Sequence, residues 1–312
     1  MIKKLALLIV ASALLVILGT FLYFRVYQNL PESAVPLLQE AKVPGKGEKV
    51  IIFAPHPDDE TLATGGLIAK ALQNGAEVKV VIVTNGDGYL FSTMRDYKKI
   101  HPGSQDYIQE GYRREGESKR ALKILGLEET NVYFLGYPDM GLKKLLSDFY
   151  QSPYKSPTTK SSQTPYSTSY RQNASYTGEN LQADMADIIK KFSPEVIIAS
   201  SSLDIHPDHA ATGIFVQKAV DKISGQKPTI YYYLIHFRHF PSPKGLHSDR
   251  MLTPPAKLIT ISDGVLKVSL DKETLDLKER ALLEYKSQLR VPTLKNVMES
   301  FLRQNELLFT LK

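Results

Sequence analysis

Residues 54–60 read Ala-Pro-His-Pro-Asp-Asp-Glu, directly after the apolar run Lys-Val-Ile-Ile-Phe-Ala of 49–54. A histidine, two adjacent carboxylates and a third acid at the end of a predicted strand are hard to account for by packing alone. Further along, another apolar run ends near Ala199, and Asp-Ile-His-Pro-Asp-His follows at 204–209. Each cluster lies just past the carboxyl end of a buried strand, where open α/β sheets gather ligands and catalytic groups. The pair predicts a mononuclear metal hydrolase site. The chain has no cysteine, which removes disulfides, thiolate zinc sites and cysteine nucleophiles together, so any metal is held by His and carboxylate.

The elements that must position these groups alternate along the chain. Strands are expected at 50–54, 78–84, 132–135, 196–200 and 229–235. Helices are expected at 60–74, 110–126, 179–192 and 209–223. Apolar β-rich runs separated by amphipathic segments imply an α/β fold, a mainly parallel, twisted, Rossmann-like sheet with helices on both faces. A strand at 257–262, a helix at 272–288 and a final helix at 294–309 complete the same domain, which spans 49–312. Two stretches break the rhythm: a polar loop at 86–109 and a Ser/Thr/Tyr/Pro-rich stretch at 150–177. Long loops in such folds are substrate walls, lids or mobile insertions.

Residues 5–24 carry no charge, and twenty helical residues span roughly 30 Å, a bilayer's hydrocarbon core. Aromatics close the far end, where an interface belt would sit. Residues 1–25 are therefore expected to form one transmembrane helix, with a cleaved signal peptide as the alternative. Lys3 and Lys4 favour a cytoplasmic N-terminus, and Arg25 counts mildly against it. Residues 26–48, with Pro31, Pro36 and Pro44, read as a stem. On this expectation the protein is a single-pass membrane protein with an extracytoplasmic catalytic domain. Lys3, Lys4 and Arg25 make up half of the formal net charge of +6. The remainder is too small and too dispersed to indicate a nucleic-acid partner.

The motif at 55–60 with the later His-Pro-Asp-His of 206–209 resembles the LmbE-like or PIG-L family of zinc-dependent N-acetylglucosamine deacetylases. Further similarities follow in order: Thr84-Asn-Gly86, Arg114-x-x-Glu117 leading into Ala121 and Leu125-Gly126, Leu135-Gly-Tyr-Pro-Asp139, and Lys286-Ser-Gln288. The resemblance implies that His56, Asp59 and His209 bind Zn²⁺. The chemistry leads to the same trio. A catalytic zinc takes three protein ligands and keeps a position for water, whose pKa it lowers toward neutrality. His56 and Asp59, three apart on a turn entering a helix, can face one centre that His209 completes. A two-His, one-carboxylate set also accepts Fe²⁺ or Co²⁺.

Asp58, beside a ligand, is the expected general base, although an acid there also suits a helix N-terminus. The resemblance carries onto His206 the role of stabilising the oxyanion or acting as acid. Asp208 is expected to orient that imidazole and raise its pKa, or else to cap a helix. Glu60 reads as a supporting partner or a cap. Arg114 resembles the family's substrate-side arginine, with Arg113 as rival and an ion pair to Glu117 as the plain alternative. Asp139 is expected to grip a sugar hydroxyl, or to be a turn residue. His236 ends a strand and is a candidate substrate contact, or an ordinary satisfied histidine.

These residues imply removal of acetyl from an N-acetylglucosamine-type amino sugar in a glycan or glycolipid. Water deprotonated by Asp58 attacks the acetamide, and the oxyanion is held where charge develops. The alternatives are an amidase acting on a non-acetyl amide and a non-catalytic sugar-binding protein that keeps the fold.

Overall fold

In this computed structural model, the β-branched runs become strands close to where the sequence places them. Residues 2–27 and 29–311 are described, with side chains at residue 4, residues 9–21 and from residue 29 onward. The chain runs α1 (Ile2–Tyr27), β1 (Gln39–Glu40), β2 (Lys49–Ala54), α2 (Asp59–Gln73), β3 (Glu77–Thr84), α3 (Leu90–Tyr97) and α4 (Ser104–Ile124). There follow β4 (Val132–Tyr137), α5 (Leu142–Leu145), α6 (Gly178–Phe192), β5 (Val196–Ser200), α7 (Pro207–Asp221) and β6 (Thr229–Tyr233). Last come α8 (Ala256–Ile261), β7 (Ser262–Ser269), α9 (Lys272–Leu282), α10 (Lys286–Leu289), α11 (Pro292–Glu299) and β8 (Asn305–Leu311).

One eight-stranded sheet carries the order β1-β7-β8-β6-β5-β2-β3-β4. The block from β6 to β4 is parallel throughout, whereas β8 runs antiparallel to both β6 and β7. Val50–Ala54, Val80–Val83 and Ile197–Ala199 are buried without alternation, the mark of strands covered on both faces. From β2 the chain moves outward through β3 to β4. It then returns to β5 on the other side of β2 and moves outward to β6. The strand order thus reverses between β2 and β5, and their carboxyl ends open the crevice where ligands bind in such sheets. Helices α2, α4 and α9 pack together, as do α6 and α7.

The C-terminal third departs from expectation. Residues 256–261 form a helix, and the strand lies just after it. The expected final helix is split into short α11 and strand β8. Leu307, Leu308 and Phe309 are buried within the sheet; their contiguous apolar run does not distinguish strand from helix by periodicity. Loop 86–109 contains α3 and the first turns of α4. The 150–177 stretch is docked: Tyr166 and Tyr176 are buried, with the Tyr166 hydroxyl donating to Asp87 and that of Tyr176 to the Gly136 carbonyl.

The transmembrane expectation is corrected. A helix does form at Ile2–Tyr27, but among the described residues no helix is long and apolar enough to cross a membrane. Lys3, Arg25 and the aromatics at 23 and 24 lie outside the residues whose side chains are described. The anchor, the membrane contact and the single-pass extracytoplasmic location built on it are withdrawn together.

Helix α2, whose first turn carries the site, is held from the sheet side by Glu306 of β8. Its carboxylate accepts the Gly66 and Leu67 amides at 2.7 and 2.9 Å and pairs with Lys278 of α9 at 2.7 Å. Both charged groups are buried. Lys278→Met leaves the carboxylate without its cation, and a loss of about 3–5 kcal/mol is expected, readable as a lowered urea midpoint with unchanged slope.

Candidate active site

The backbone between β2 and α2 turns sharply, and Asp58 takes φ = 118°, a region that L side chains rarely occupy. Hydrogen bonds fix it there. The Asp58 amide donates to Glu60 Oε2 at 3.0 Å, and Glu60 Oε1 accepts from the Ser118 and Tyr285 hydroxyls at 2.8 and 2.7 Å. Glu60 is fully buried, so it is a brace for this turn rather than a solvent-facing cap. The turn sends His56 and Asp59 inward beneath the β2 end.

From the neighbouring strand end, the first turn of α7 brings His209 to the same point. Gly213 permits this close approach: a Cβ there would lie 2.3 Å from the Ser200 carbonyl oxygen. The three donor atoms form a near-equilateral triangle. His56 Nδ1 to Asp59 Oδ2 is 3.2 Å, His209 Nε2 to Asp59 Oδ2 is 3.1 Å, and His209 Nε2 to His56 Nδ1 is 3.3 Å. Three ligands of a tetrahedral zinc, with bonds of roughly 2.0–2.1 Å, stand about 3.3 Å apart. The donor chemistry and the spacing therefore fit a divalent ion. His206 belongs to the same cluster: its ring nitrogen lies within 4.8 Å of those of His56 and His209.

The electrostatics match. Burial opposes a charged His56, but Asp139, Asp208 and Asp59 outweigh it and raise its pKa well above the usual value. Burial likewise opposes charge on His209, yet Asp59 and Asp204 push it to about 9. Burial would raise Asp59, but His209 and His56 hold it well below the carboxylate range. Imidazolium protons thus balance the buried carboxylates, and a divalent ion would displace them, so metal uptake weakens as pH falls. His206 moves the other way, to about 3, through burial and the neighbouring His56, His209 and His236.

Asp58 stands at the cavity floor with Arg114 Nη2 3.2 Å from its Oδ2. Burial raises its carboxyl to about 8 against the pull of Arg114, with Asp59 and Glu60 adding to the rise. Arg114 is buried and donates to the Pro57 and Gly86 carbonyls at 2.7 and 2.8 Å. Gly86, at φ = 63°, makes room: a Cβ would meet Nη1 at 2.0 Å. The plain alternative, an Arg114–Glu117 ion pair, is not formed; Glu117 instead accepts from the Ser287 amide and hydroxyl. Arg113 pairs with Asp96 and Glu110, away from the cavity.

Asp208 does not meet His206 through its carboxylate, and Asp139 has partners within the site. Asp208 accepts the Met140 and Leu142 amides at 2.6 and 3.0 Å and lies 3.4 Å from His56 Nε2. Its contact with His206 is the backbone amide donating to Nδ1 at 3.3 Å. Asp139 lines the cavity, yet its Oδ1 is 3.2 Å from His56 Nε2 and its Oδ2 accepts the Gly88 amide at 2.7 Å. His236 does enter the site, its ring centroid 5.3 Å from that of His206 and 4.8 Å from that of His209. His239, His101 and His247 do not line the cavity.

Asp204 is the residue that sequence reasoning passed over. Its Oδ1 accepts the His206 amide at 2.9 Å, and its Oδ2 accepts the Ile235 and His236 amides at 3.0 Å. The same Oδ2 lies 3.3 Å from His209 Nδ1, a buried atom with no aligned hydrogen-bond partner. One carboxylate thus ties the β5 and β6 ends together behind His209. Its place two residues before His206 was the available signal.

A cavity of about 250 Å³ opens over these groups. A larger open cleft of about 930 Å³ lies at the opposite edge of the sheet, around Glu48, Glu195 and Thr229, and no histidine lines it.

Residues 51–220 match the family described as PIG-L, GlcNAc-PI de-N-acetylase. The chain belongs to the PIG-L family. As a member it is a hydrolase of the N-deacetylase kind, with a site suited to a metal ion. A 1D-myo-inositol 2-acetamido-2-deoxy-alpha-D-glucopyranoside deacetylase of Gordonia bronchialis is 25% identical over 260 residues, 78% of this chain and 84% of its own. One bearing the same name from a Mycobacterium species is 30% identical over 194 residues, 59% of this chain and 54% of its own. Among solved structures, a deacetylase of the teicoplanin biosynthesis pathway aligns at TM-score 0.53 and 15% identity, over 84% of this chain and 96% of its own, a likeness of fold.

Two outcomes follow from this geometry. Asp204→Asn removes the charge behind His209 and is expected to weaken the affinity for a divalent metal ion about 10–100-fold, read by competition with a chromophoric chelator. Asp87, buried beside Tyr166, has its carboxyl raised by burial and by Asp139 from 3.8 to about 7. The unfolded chain releases this proton first, so between those values the fold holds the extra proton and stability falls as pH rises. Asp87→Asn removes that loss, so its stability relative to wild type should grow from about pH 4 to pH 7 in urea titrations.

Proposed function

We propose that this protein is a zinc-dependent deacetylase of an N-acetylglucosamine-type amino sugar. The observation that carries the reading is the His56–Asp59–His209 donor triangle, with edges of 3.1–3.3 Å, beside a buried Asp58 at the floor of the same cavity. The family match and the deacetylase names of its relatives support the bond cleaved.

In this reading His56, Asp59 and His209 hold the ion, which when bound supplies Lewis acidity and lowers the pKa of a coordinated water. Asp58, ionised, takes the proton from the attacking water, and its position beside Asp59 at the cavity floor suits a group that receives a proton and gives it back. Arg114, fixed by two carbonyls, keeps that carboxylate aimed at the floor. His206 is neutral near pH 7, with Nδ1 accepting a backbone amide, so its Nε2 carries the hydrogen and is a donor on a side chain that lines the cavity. It stabilises the developing oxyanion. The proton on Asp58 then passes to the departing amine, leaving free amino sugar and acetate. Asp208 and Asp139 act through His56, as acceptors on its Nε2 side.

The test is acetate release from N-acetylglucosamine and its conjugates by the zinc-loaded chain, beside Asp58→Asn. Turnover should fall about 10²–10⁴-fold in the variant with zinc content unchanged, and chelation should abolish it in wild type. His209→Ala should lose the metal itself. Zinc binding without acetate release from any member would refute the reading.

A further inference from the structure

The cavity has two unlike sides. Its floor is the polar cluster; the other side is built from Leu62, Ile235, Met298, Val297, Leu294 and Met140. Exposure rises along that side. Ile235, Leu62 and Met298 are buried, Val297 and Leu294 are half-buried, and Met140 is 52% exposed. An apolar strip therefore climbs from beside the donor triangle to the mouth. Leu294, Val297 and Met298 recur at the i, i+3, i+4 spacing of one helical face. They belong to α11, outside the residues 51–220 matched to the family.

Charge supplies the second half. Arg114 is the one Lys or Arg among the described residues lining the cavity, and both its terminal nitrogens already serve Pro57, Gly86 and Asp58. The carboxylates of Asp58, Asp59 and Asp139 share the floor. A phosphate or carboxylate toward the mouth would find no further Lys or Arg side chain on the cavity wall to pair with. Catalysis puts the acetamide at the floor, so substituents on the other ring carbons, the group joined to the anomeric carbon among them, extend toward the mouth.

Resting on the deacetylase reading, we propose that the amino sugar carries a neutral apolar aglycone, alkyl or aryl, which packs on the Leu294–Val297–Met298 face of α11. An apolar group on this strip leaves water without stranding any polar group, and an anionic aglycone is disfavoured.

The experiment compares kcat/KM of the full zinc-loaded chain for N-acetylglucosamine, its octyl (below the micelle-forming concentration) and phenyl glycosides, its 1-phosphate, and N-butyrylglucosamine. The octyl and phenyl glycosides should exceed the free sugar by about tenfold or more, the order set by a few methylenes leaving water, mainly through KM. The 1-phosphate should fall below the free sugar. Leu294→Asp, at a half-buried position, should bring the octyl value down toward the free sugar's, with an unchanged thermal melt as its folding control. Equal values for octyl and free sugar, a preferred 1-phosphate, or an octyl preference that survives Leu294→Asp would overturn the proposal and leave deacetylation standing. A gain that tracks the N-acyl group instead would overturn the assignment of the wall to the aglycone. Acetate from no sugar at all would sink both readings.

Discussion

The imidazole of His56 is the pivot on which the site depends. Its Nδ1 faces Asp59 and His209, and its Nε2 faces Asp139 and Asp208. Those partners come from the ends of β2, β4 and β5, so one ring reports the relative placement of three strands. Burial makes the arrangement demanding, because a carboxylate taken from water without a partner is costly. Each one here is met by an imidazole, a guanidinium or backbone amides. The parallel sheet gives these partners a common edge, and its reversal between β2 and β5 leaves that edge open.

Around the pivot, rigidity comes from carboxylates that are unsuited to touching substrate. Glu60 fixes the strained backbone at Asp58, Asp204 joins the β5 and β6 ends, and Glu306 holds α2 to the sheet. These groups accept hydrogen bonds from backbone amides, so they act on chain geometry as much as on charge. Precise placement of a reacting group requires such a supporting layer, and here it is drawn from the whole length of the domain.

Much of this was legible beforehand. The strands at β2, β3 and β5 announced themselves as unbroken apolar runs, and the two His/Asp clusters at their ends converge as that pattern implies. Asp208 was harder, because spacing brings it near His206 in sequence while the helix start turns its carboxylate toward Met140 and Leu142. The 150–177 stretch reads as polar by composition, yet Tyr166 and Tyr176 spend their rings on burial and their hydroxyls on Asp87 and Gly136. The residues of β8 were mistaken for helix because a short apolar run has no period of its own. The N-terminal segment was judged by its charge-free run and the residues flanking it, and among the described residues no helix is both long and apolar enough to cross a membrane.

The Tyr285 hydroxyl on Glu60 has a consequence for how the enzyme comes into being. Synthesis proceeds from the N-terminus at roughly 5–20 residues per second, so the three donors of the triangle leave the ribosome on the order of ten seconds before Tyr285 and Glu306 do. During that interval the nascent chain holds His56 and Asp59 on the turn and His209 on α7 before Tyr285 can donate to Glu60. The carboxyl-terminal segment is thus the last part of the chain to add its hydrogen bonds to the buried carboxylates that hold the turn and α2.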